Sequence, residues 1–544
     1  MSYTYDPTAY RRFFEHSFTY LAGFRRTARR FAERPAITDP SSGRAWTYAE
    51  LAVDVDRLAA GLAAAGVRPG DVVTYQLYNS PEFARLYLAT QALGAVGSPI
   101  NFRLAPGEVA HVLADSEPRV FVYDATLQET VAEALRRSPH RPDVVIAVQP
   151  GEELAGLLPE GGPVDPPPGT VYDETTRLYT SGTTGVPKGV PLNSLVEVFS
   201  AHDVAMHFPL GPEDVTLNMT PWFHRGGLYS GGPNPAFYVG AQVVPLRAFD
   251  ADLVLDLVER HGLTFLVGAP TNLAMLAAAQ EARPRDLASL RGIVTMGAPL
   301  EREACLRYQS VLTERIFNGY GTTESFWNTF LRPADLPAHA GAAGRACTDD
   351  EVRVVALGGG PDEEVPTDGA TVGEVIVRSP KAGYAYVNVP EQERTKFDDD
   401  GWIHLGDLAT WAAGEVVTIV GRADDMLVSG GENVHPVQVE EALNELPGVA
   451  DSLVVGVPDD RWGRRVVAYV VRADPALTAE DCEAHCRDHP MLSRYKRPRG
   501  YRFVDALPLT ATGKKIHYRA TEQAVDDVAA GRFTDVRGGT DVLR

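Results

Sequence analysis

TYAELAVDVDRLAAGLAAAGVRPGDVVTYQLY, residues 47–78, decides the fold class. Thr47 with Glu50 three positions on is a capping box, and Leu51, Val55, Leu58 and Leu62 then recur at helical spacing until Gly66 and Pro69 end the run. Residues 72–78 follow as a short strand. Ser80-Pro81-Glu82 opens a second helix reaching about Leu93, and a strand is predicted near 96–100. Further strands are predicted at 119–123 and 144–148. Strand and helix taking turns at this spacing predict an α/β fold with largely parallel sheets.

Outward from this stretch, residues 150–168 are rich in Gly, Pro and acidic side chains and read as a surface connection, after which the α/β pattern resumes. Strands dominate between 351 and 421, at 352–356, 373–378 and 416–420, which predicts a small β subdomain. Beyond about Arg422 a helix at 436–446, strands at 452–457 and 466–471 and a helix at 479–489 predict a compact α+β module. Little pattern follows Gln523, so a mobile tail is expected. The expected organisation is a large N-terminal domain over 1–421 with its β subdomain from about 350, a junction at 422–424, a C-terminal domain over 425–523 and a tail over 524–544.

A chain of 544 residues exceeds one ordinary core, and 44% apolar residues suffice for several. Lys plus Arg number 51 against 72 Asp plus Glu, a formal charge of −21, which argues against nucleic acid or an anionic membrane as partner. Four cysteines, Cys305, Cys347, Cys482 and Cys486, do not make a disulfide scaffold, and a reduced, cytoplasmic setting is expected. No stretch reads as a signal peptide or as 18 uninterrupted apolar residues, so no membrane span is expected. Any phosphate ligand must therefore find a local site.

Thr180-Ser181-Gly182-Thr183-Thr184-Gly185-Val186-Pro187-Lys188 supplies one, at the end of a predicted strand. Its glycines let backbone N–H groups turn onto an anion, its hydroxyls add donors, and Lys188 adds a point charge. Lys188 follows Pro187 and precedes Gly189, so this is not a Walker A loop, and hydrolysis of a terminal phosphate is not the natural inference.

The loop resembles the phosphate loop of the superfamily of acyl- and aryl-CoA synthetases, nonribosomal adenylation domains and luciferase, and the likeness runs from about residue 30 to about residue 520. That resemblance implies ATP and Mg²⁺ as ligands, coenzyme A as co-substrate and a small carboxylic acid as substrate. In Asn318-Gly319-Tyr320-Gly321-Thr322-Thr323-Glu324 it implies that Tyr320 lies against adenine, that Thr323 contacts the α-phosphate and that Glu324, with Thr180, holds the metal. Gly297-Ala298-Pro299 is similar to the adenine-side strand end, with Met296 where many members have Gly and where the acyl site is expected. Asp407 takes the place of the ribose-binding Asp and Arg422 that of the ribose-binding Arg, with Asp424 at the hinge position. Gly430-Gly431-Glu432 resembles the loop lining the pantetheine tunnel, where small residues let a thin chain pass. Lys514 matches the lysine that bridges carboxylate and α-phosphate, and Lys515 is its near neighbour.

Phe223-His224-Arg225 stands where the family places its gate between acyl pocket and pantetheine tunnel. With Trp222, Arg225, Met296 and Trp327 around it, the implied pocket suits an aromatic or medium-sized acid. The expected activity is a two-step acid–CoA ligation through an acyl adenylate and pyrophosphate, with domain alternation between the steps. Other acceptors remain open at this level: a carrier-protein thiol in trans, or an amine, including nitrite-activating chemistry. A nucleotide-binding regulatory protein without catalysis is the alternative from another class, opposed by the joint presence of Lys188, Glu324, Asp407, Arg422 and Lys514. A homodimer is common among such proteins, and the oligomeric state stays open at this level. Cys482, His485, Cys486 and His489 share one helix face, but four ligands from one straight helix rarely converge on a tetrahedral point, and the two cysteines are expected in the core.

Overall fold

The computed structural model describes residues 7–165, 169–181, 187–298, 300–389, 396–422, 426–508, 515 and 517–536, with Ser181, Gly421, Arg422, Val437, Glu441 and Tyr518 described by their backbone alone. The opening helix forms as its sequence dictates. Tyr48–Ala64 begins with the Thr47 hydroxyl accepting from the Glu50 N–H at 3.2 Å while the Glu50 carboxylate accepts from the Thr47 N–H at 2.8 Å. In the next helix, Pro81–Leu93, the Ser80 hydroxyl accepts from the Phe83 N–H at 3.2 Å and Gly94 closes the end in the left-handed conformation.

The second of these helices packs on a six-stranded sheet, and the first packs on the second; the sheet's strand order is Val144–Val148, Val120–Asp124, Val72–Gln76, Val96–Pro99, Glu174–Ser181, Pro187–Asn193. All its pairings are parallel except the last, and Val72–Gln76 is buried along its whole length, as a strand covered on both faces must be. A nine-stranded sheet packs beside it, with Ile316–Thr322, Gly292–Met296, Phe265–Gly268 and Val215–Asn218 as its parallel centre. One continuous core joins both sheets, with Trp222, Tyr229, Phe317 and Trp327 in the same cluster as Tyr48 and Tyr87.

The predicted β subdomain is a four-stranded antiparallel sheet, Glu351–Val355, Val372–Arg378, Ile403–Ala412, Val416–Arg422. Its longest strand, Ile403–Ala412, alternates buried and half-buried residues throughout. The C-terminal module carries Val449–Asp459, Gly463–Arg472, Gly500–Phe503 and Thr534–Asp535 in one sheet. The tail boundary expected after Gln523 is corrected: the helix His517–Ala529 runs through it and Thr534–Asp535 pairs with Gly500–Phe503. Ala520 and Ala524 bury against Leu453, Val455 and Tyr469, and the buried Asp527 accepts from the Tyr469 hydroxyl at 2.7 Å. Small residues and one buried acid hide this helix from a reading based on large apolar side chains. Among the described residues no helix is long and apolar enough to cross a membrane.

Candidate active site

The hairpin strands Glu174–Ser181 and Pro187–Asn193 carry the two ends of the expected phosphate loop. Thr180 and Lys188 face each other across the pairing, whereas Gly182, Thr183, Thr184 and Gly185 lie outside the described residues. Lys188 Nζ stands 5.7 Å from the centre of the Tyr386 ring, and the Val387 N–H donates to the Gly189 carbonyl at 2.8 Å.

Asn318-Gly319-Tyr320-Gly321-Thr322 forms a strand folded against Phe326–Leu331. The approach is so close at Gly321 that a Cβ there would lie 1.4 Å from the Phe326 carbonyl oxygen, so only glycine fits. Asn318 Nδ2 donates to the Ala342 carbonyl at 3.0 Å, and the Thr322 and Ser325 hydroxyls lie 3.2 Å apart. The Tyr320 hydroxyl donates to Asp407 Oδ2 at 2.6 Å, bringing the expected adenine and ribose residues together from two sheets. Asp407 is in turn opposite Arg422 in strand register.

Glu324 is buried, and burial alone would raise its pKa. The ammonium of Lys396, 3.3 Å from Oε1, and the Tyr386 hydroxyl, which donates to the same oxygen, outweigh that and hold it down at about 2. The result is a permanently ionised hard-oxygen donor beside a lysine-bearing phosphate loop. That donor suits Mg²⁺, with the Thr180 hydroxyl on the same loop. Tyr386 and Lys396 carry no motif that the sequence reading used; the aromatic and basic residues just before Asp398-Asp399-Asp400 are the only signal.

Met296 ends the strand Gly292–Met296, and Gly297 turns the chain with φ of +83°. Ala298 follows, half-buried, and Pro299 lies outside the described residues. The Met296 sulfur comes within 2.7 Å of where a Cβ on Gly226 would stand, and Trp327 Nε1 stands equally close to the missing Cβ of Gly319. Two glycines on facing segments thus make room for a thioether and an indole. Trp222 instead packs edge-on against Phe83 at 5.6 Å, and its backbone N–H donates to Asn79 Oδ1 at 2.7 Å. Arg225 is buried, donating to the Lys381 carbonyl at 2.9 Å and the Ser200 hydroxyl at 3.2 Å, with its guanidinium 4.3 Å over the Tyr229 ring.

Gly430 and Gly431, both at positive φ, form the two-residue turn between Leu427–Ser429 and Glu432–Val434. The turn delivers Glu432 from the C-terminal module to the N-terminal domain. There its Oε2 lies 3.2 Å from His224 Nε2 and accepts from Asn101 Nδ2 at 3.2 Å, while Oε1 is 3.1 Å from Arg103 Nη1. Burial would raise the Glu432 pKa, but His224 and Arg103 lower it on balance. Asn101 and Arg103 were not legible as partners, being 331 and 329 residues away in sequence.

Lys514 and Asp424 lie outside the described residues. Lys515 is engaged within the C-terminal module, 3.0 Å from Glu440 Oε2 and 2.9 Å from Asp451 Oδ1. Cys482 and Cys486 point into the module's core with Leu477 and Tyr501.

The sequence profile of the AMP-binding enzyme family matches residues 24–387, and that of the AMP-binding enzyme C-terminal domain matches 438–514. Feruloyl-CoA synthase from an Amycolatopsis species is 36% identical over 474 residues, 87% of this chain and 92% of the relative. Sulfoacetate–CoA ligase from Cupriavidus necator is 33% identical over 490 residues, 90% of this chain and 94% of the relative. Among solved structures, a double mutant of o-succinylbenzoate CoA synthetase (MenE) from Bacillus subtilis, bound with its product analogue OSB-NCoA, superposes with a TM-score of 0.81 at 26% identity, covering 95% of this chain and 99% of that one. These matches place the chain in the AMP-binding enzyme family, as an AMP-forming acid–thiol ligase.

Proposed function

We propose that this chain condenses a small carboxylic acid with ATP to an acyl adenylate and then passes the acyl group to the thiol of coenzyme A. In the first step a carboxylate oxygen attacks the α-phosphorus, the bond from that phosphorus to the β-phosphoryl oxygen breaks, and pyrophosphate leaves. Thr180, Lys188 and Glu324 flank the polyphosphate, Tyr320 and Asp407 hold the nucleoside, and Lys514 counters charge at the reacting phosphorus. Mg²⁺ bound at Glu324 would supply neutralisation of the phosphate oxygens. In the second step the thiol sulfur attacks the acyl carbon and AMP departs.

One observation carries this reading: Glu432, from the C-terminal module, reaches His224 at the expected gate, 3.2 Å away. That contact supports a thioester-forming pose, in which the Gly430-Gly431 turn borders the thiol's path. A ring nitrogen of His224 fixed by Glu432 leaves the other to receive the thiol proton. Met296 and Trp327, filling the space over Gly226 and Gly319, favour an aromatic or medium-sized acid over a long fatty chain.

A pyrophosphate-exchange screen over aliphatic, cinnamic, benzoic and sulfonated acids, followed by CoA-dependent thioester assay of each active acid, tests the proposal. At least one acid is expected to support both reactions. Exchange with no carboxylic acid, or an adenylate that CoA does not discharge, contradicts it.

A further inference from the structure

Glu324 Oε1 has two partners from one short stretch of chain, the Tyr386 hydroxyl and the Lys396 ammonium, the latter at 3.3 Å. Lys396 is anchored on both sides of its side chain. Its carbonyl accepts from the His404 N–H at 2.8 Å, and the adjoining Phe397 ring packs 5.4 Å from that of Tyr386. The same Tyr386 ring carries Lys188 at 5.7 Å. Two lysines, one from the hairpin of the phosphate loop and one from the β-subdomain side, thus converge on a single tyrosine–carboxylate pair.

A divalent cation and an ammonium cannot share one carboxylate oxygen without repulsion. A cation held on Glu324 Oε1 would displace Lys396, and the acceptors nearest to hand would be the phosphate oxygens of the nucleotide. The side chain is suited to this exchange: four flexible carbons carry a point charge with three donors, and it is partly exposed rather than locked in the core. We propose that Lys396 is a further catalytic residue of adenylation, which leaves Glu324 for the β- and γ-phosphates and stabilises pyrophosphate as it departs. No bond to Lys396 forms and no proton moves; the ammonium only follows the charge that the breaking bond delivers to the leaving group. The inference rests on Glu324 as the metal carboxylate.

The test compares wild type, Lys396→Met, Lys396→Arg and Glu324→Gln in three measurements. These are Mn²⁺ binding to the full-length protein without nucleotide, followed by electron paramagnetic resonance; the pyrophosphate dependence of ATP synthesis from a supplied acyl adenylate; and CoA transfer from that adenylate. Lys396→Met is expected to bind Mn²⁺ more tightly than wild type, to need about tenfold more pyrophosphate for half-saturation, and to keep CoA transfer. Lys396→Arg should recover most of the pyrophosphate affinity. Unchanged Mn²⁺ and pyrophosphate dependence in Lys396→Met overturns the proposal, as does parallel loss of every activity with a lowered Tm in both Lys396 variants. Unchanged Mn²⁺ binding in Glu324→Gln sinks the metal assignment instead, whereas a Glu324 effect with silent Lys396 variants sinks the Lys396 role alone.

Discussion

Lys496 Nζ, in the C-terminal module, lies 2.6 Å from Glu108 Oε1 in the N-terminal domain, and both side chains are buried. Around them the Glu108 carboxylate accepts from the Ser493 hydroxyl, Lys496 reaches Gln438 Oε1 at 2.9 Å, and the Gly107 N–H donates to the Pro490 carbonyl at 2.9 Å. The pair is a clasp between domains, 388 residues apart in sequence, in the same pose that brings Glu432 to His224.

Breaking a buried pair by removing one partner costs about 3–5 kcal/mol where the survivor stays buried. The rotation we propose for the module would return the survivor to water, so the cost would fall on the docked pose. Lys496→Met is expected to slow thioester formation from a supplied adenylate by about tenfold or more, with pyrophosphate exchange kept near wild type. Quench-flow or coupled assay of the two half-reactions checks this, and equal slowing of both would point to a general folding defect.

Glu432 gives the docked pose a pH limit. Its pKa falls below the ordinary 4.5 when it is buried beside His224 and Arg103, so its contribution to docking is complete above 4.5 and is lost as pH falls through the depressed value. Interdomain energy transfer between labels on the two domains is expected to drop in that acid range, and Glu432→Gln should abolish the step. A drop of the same size at the same pH in Glu432→Gln would assign it to other groups.

Gly321 and Gly431 separate steric from conformational need. A Cβ at Gly321 would collide with the Phe326 carbonyl, whereas at Gly431 it would meet open space but at a φ of +80°. Gly321→Ala is expected to lower stability by more than about 4 kcal/mol, and Gly431→Ala by about 1–2 kcal/mol. Urea denaturation measures both.

Tyr320→Phe removes the hydrogen bond to Asp407 while keeping the ring. A net loss of about 1.5–3 kcal/mol, about ten- to hundredfold, is expected in ATP affinity if Tyr320 sets Asp407 for the ribose. Isothermal titration with ATP reads it, and an unchanged Kd would mean that Asp407 is positioned by other groups.

Much of the fold was legible because it is written locally. Thr47 to Leu62 carries cap, period and stop in one stretch, and the buried strand Val72–Gln76 carries its β-branched run. The His517–Ala529 helix was missed because alanines and a buried Asp527 pack it. At the site, Glu324, Asp407 and Tyr320 were legible through motifs, while Lys396, Tyr386, Arg103 and the Glu108–Lys496 clasp were not. Each of these acts through a tertiary contact between segments far apart in sequence, and a lone lysine or glutamate has no local signature that marks its partner. Arg225, read as a pocket residue, turns its guanidinium onto Ser200 and the Lys381 carbonyl, a direction that sequence spacing does not specify.

We propose that one site performs two reactions in two poses of the C-terminal module, with Lys514 serving only the first. Half-reaction kinetics of Lys514→Ala, with any acid that supports exchange, tests it most directly. Adenylate formation is expected to fall by about 10²–10³-fold or more, while CoA transfer from a supplied acyl adenylate stays near wild type. Equal loss of both half-reactions in a protein with unchanged Tm would contradict the account.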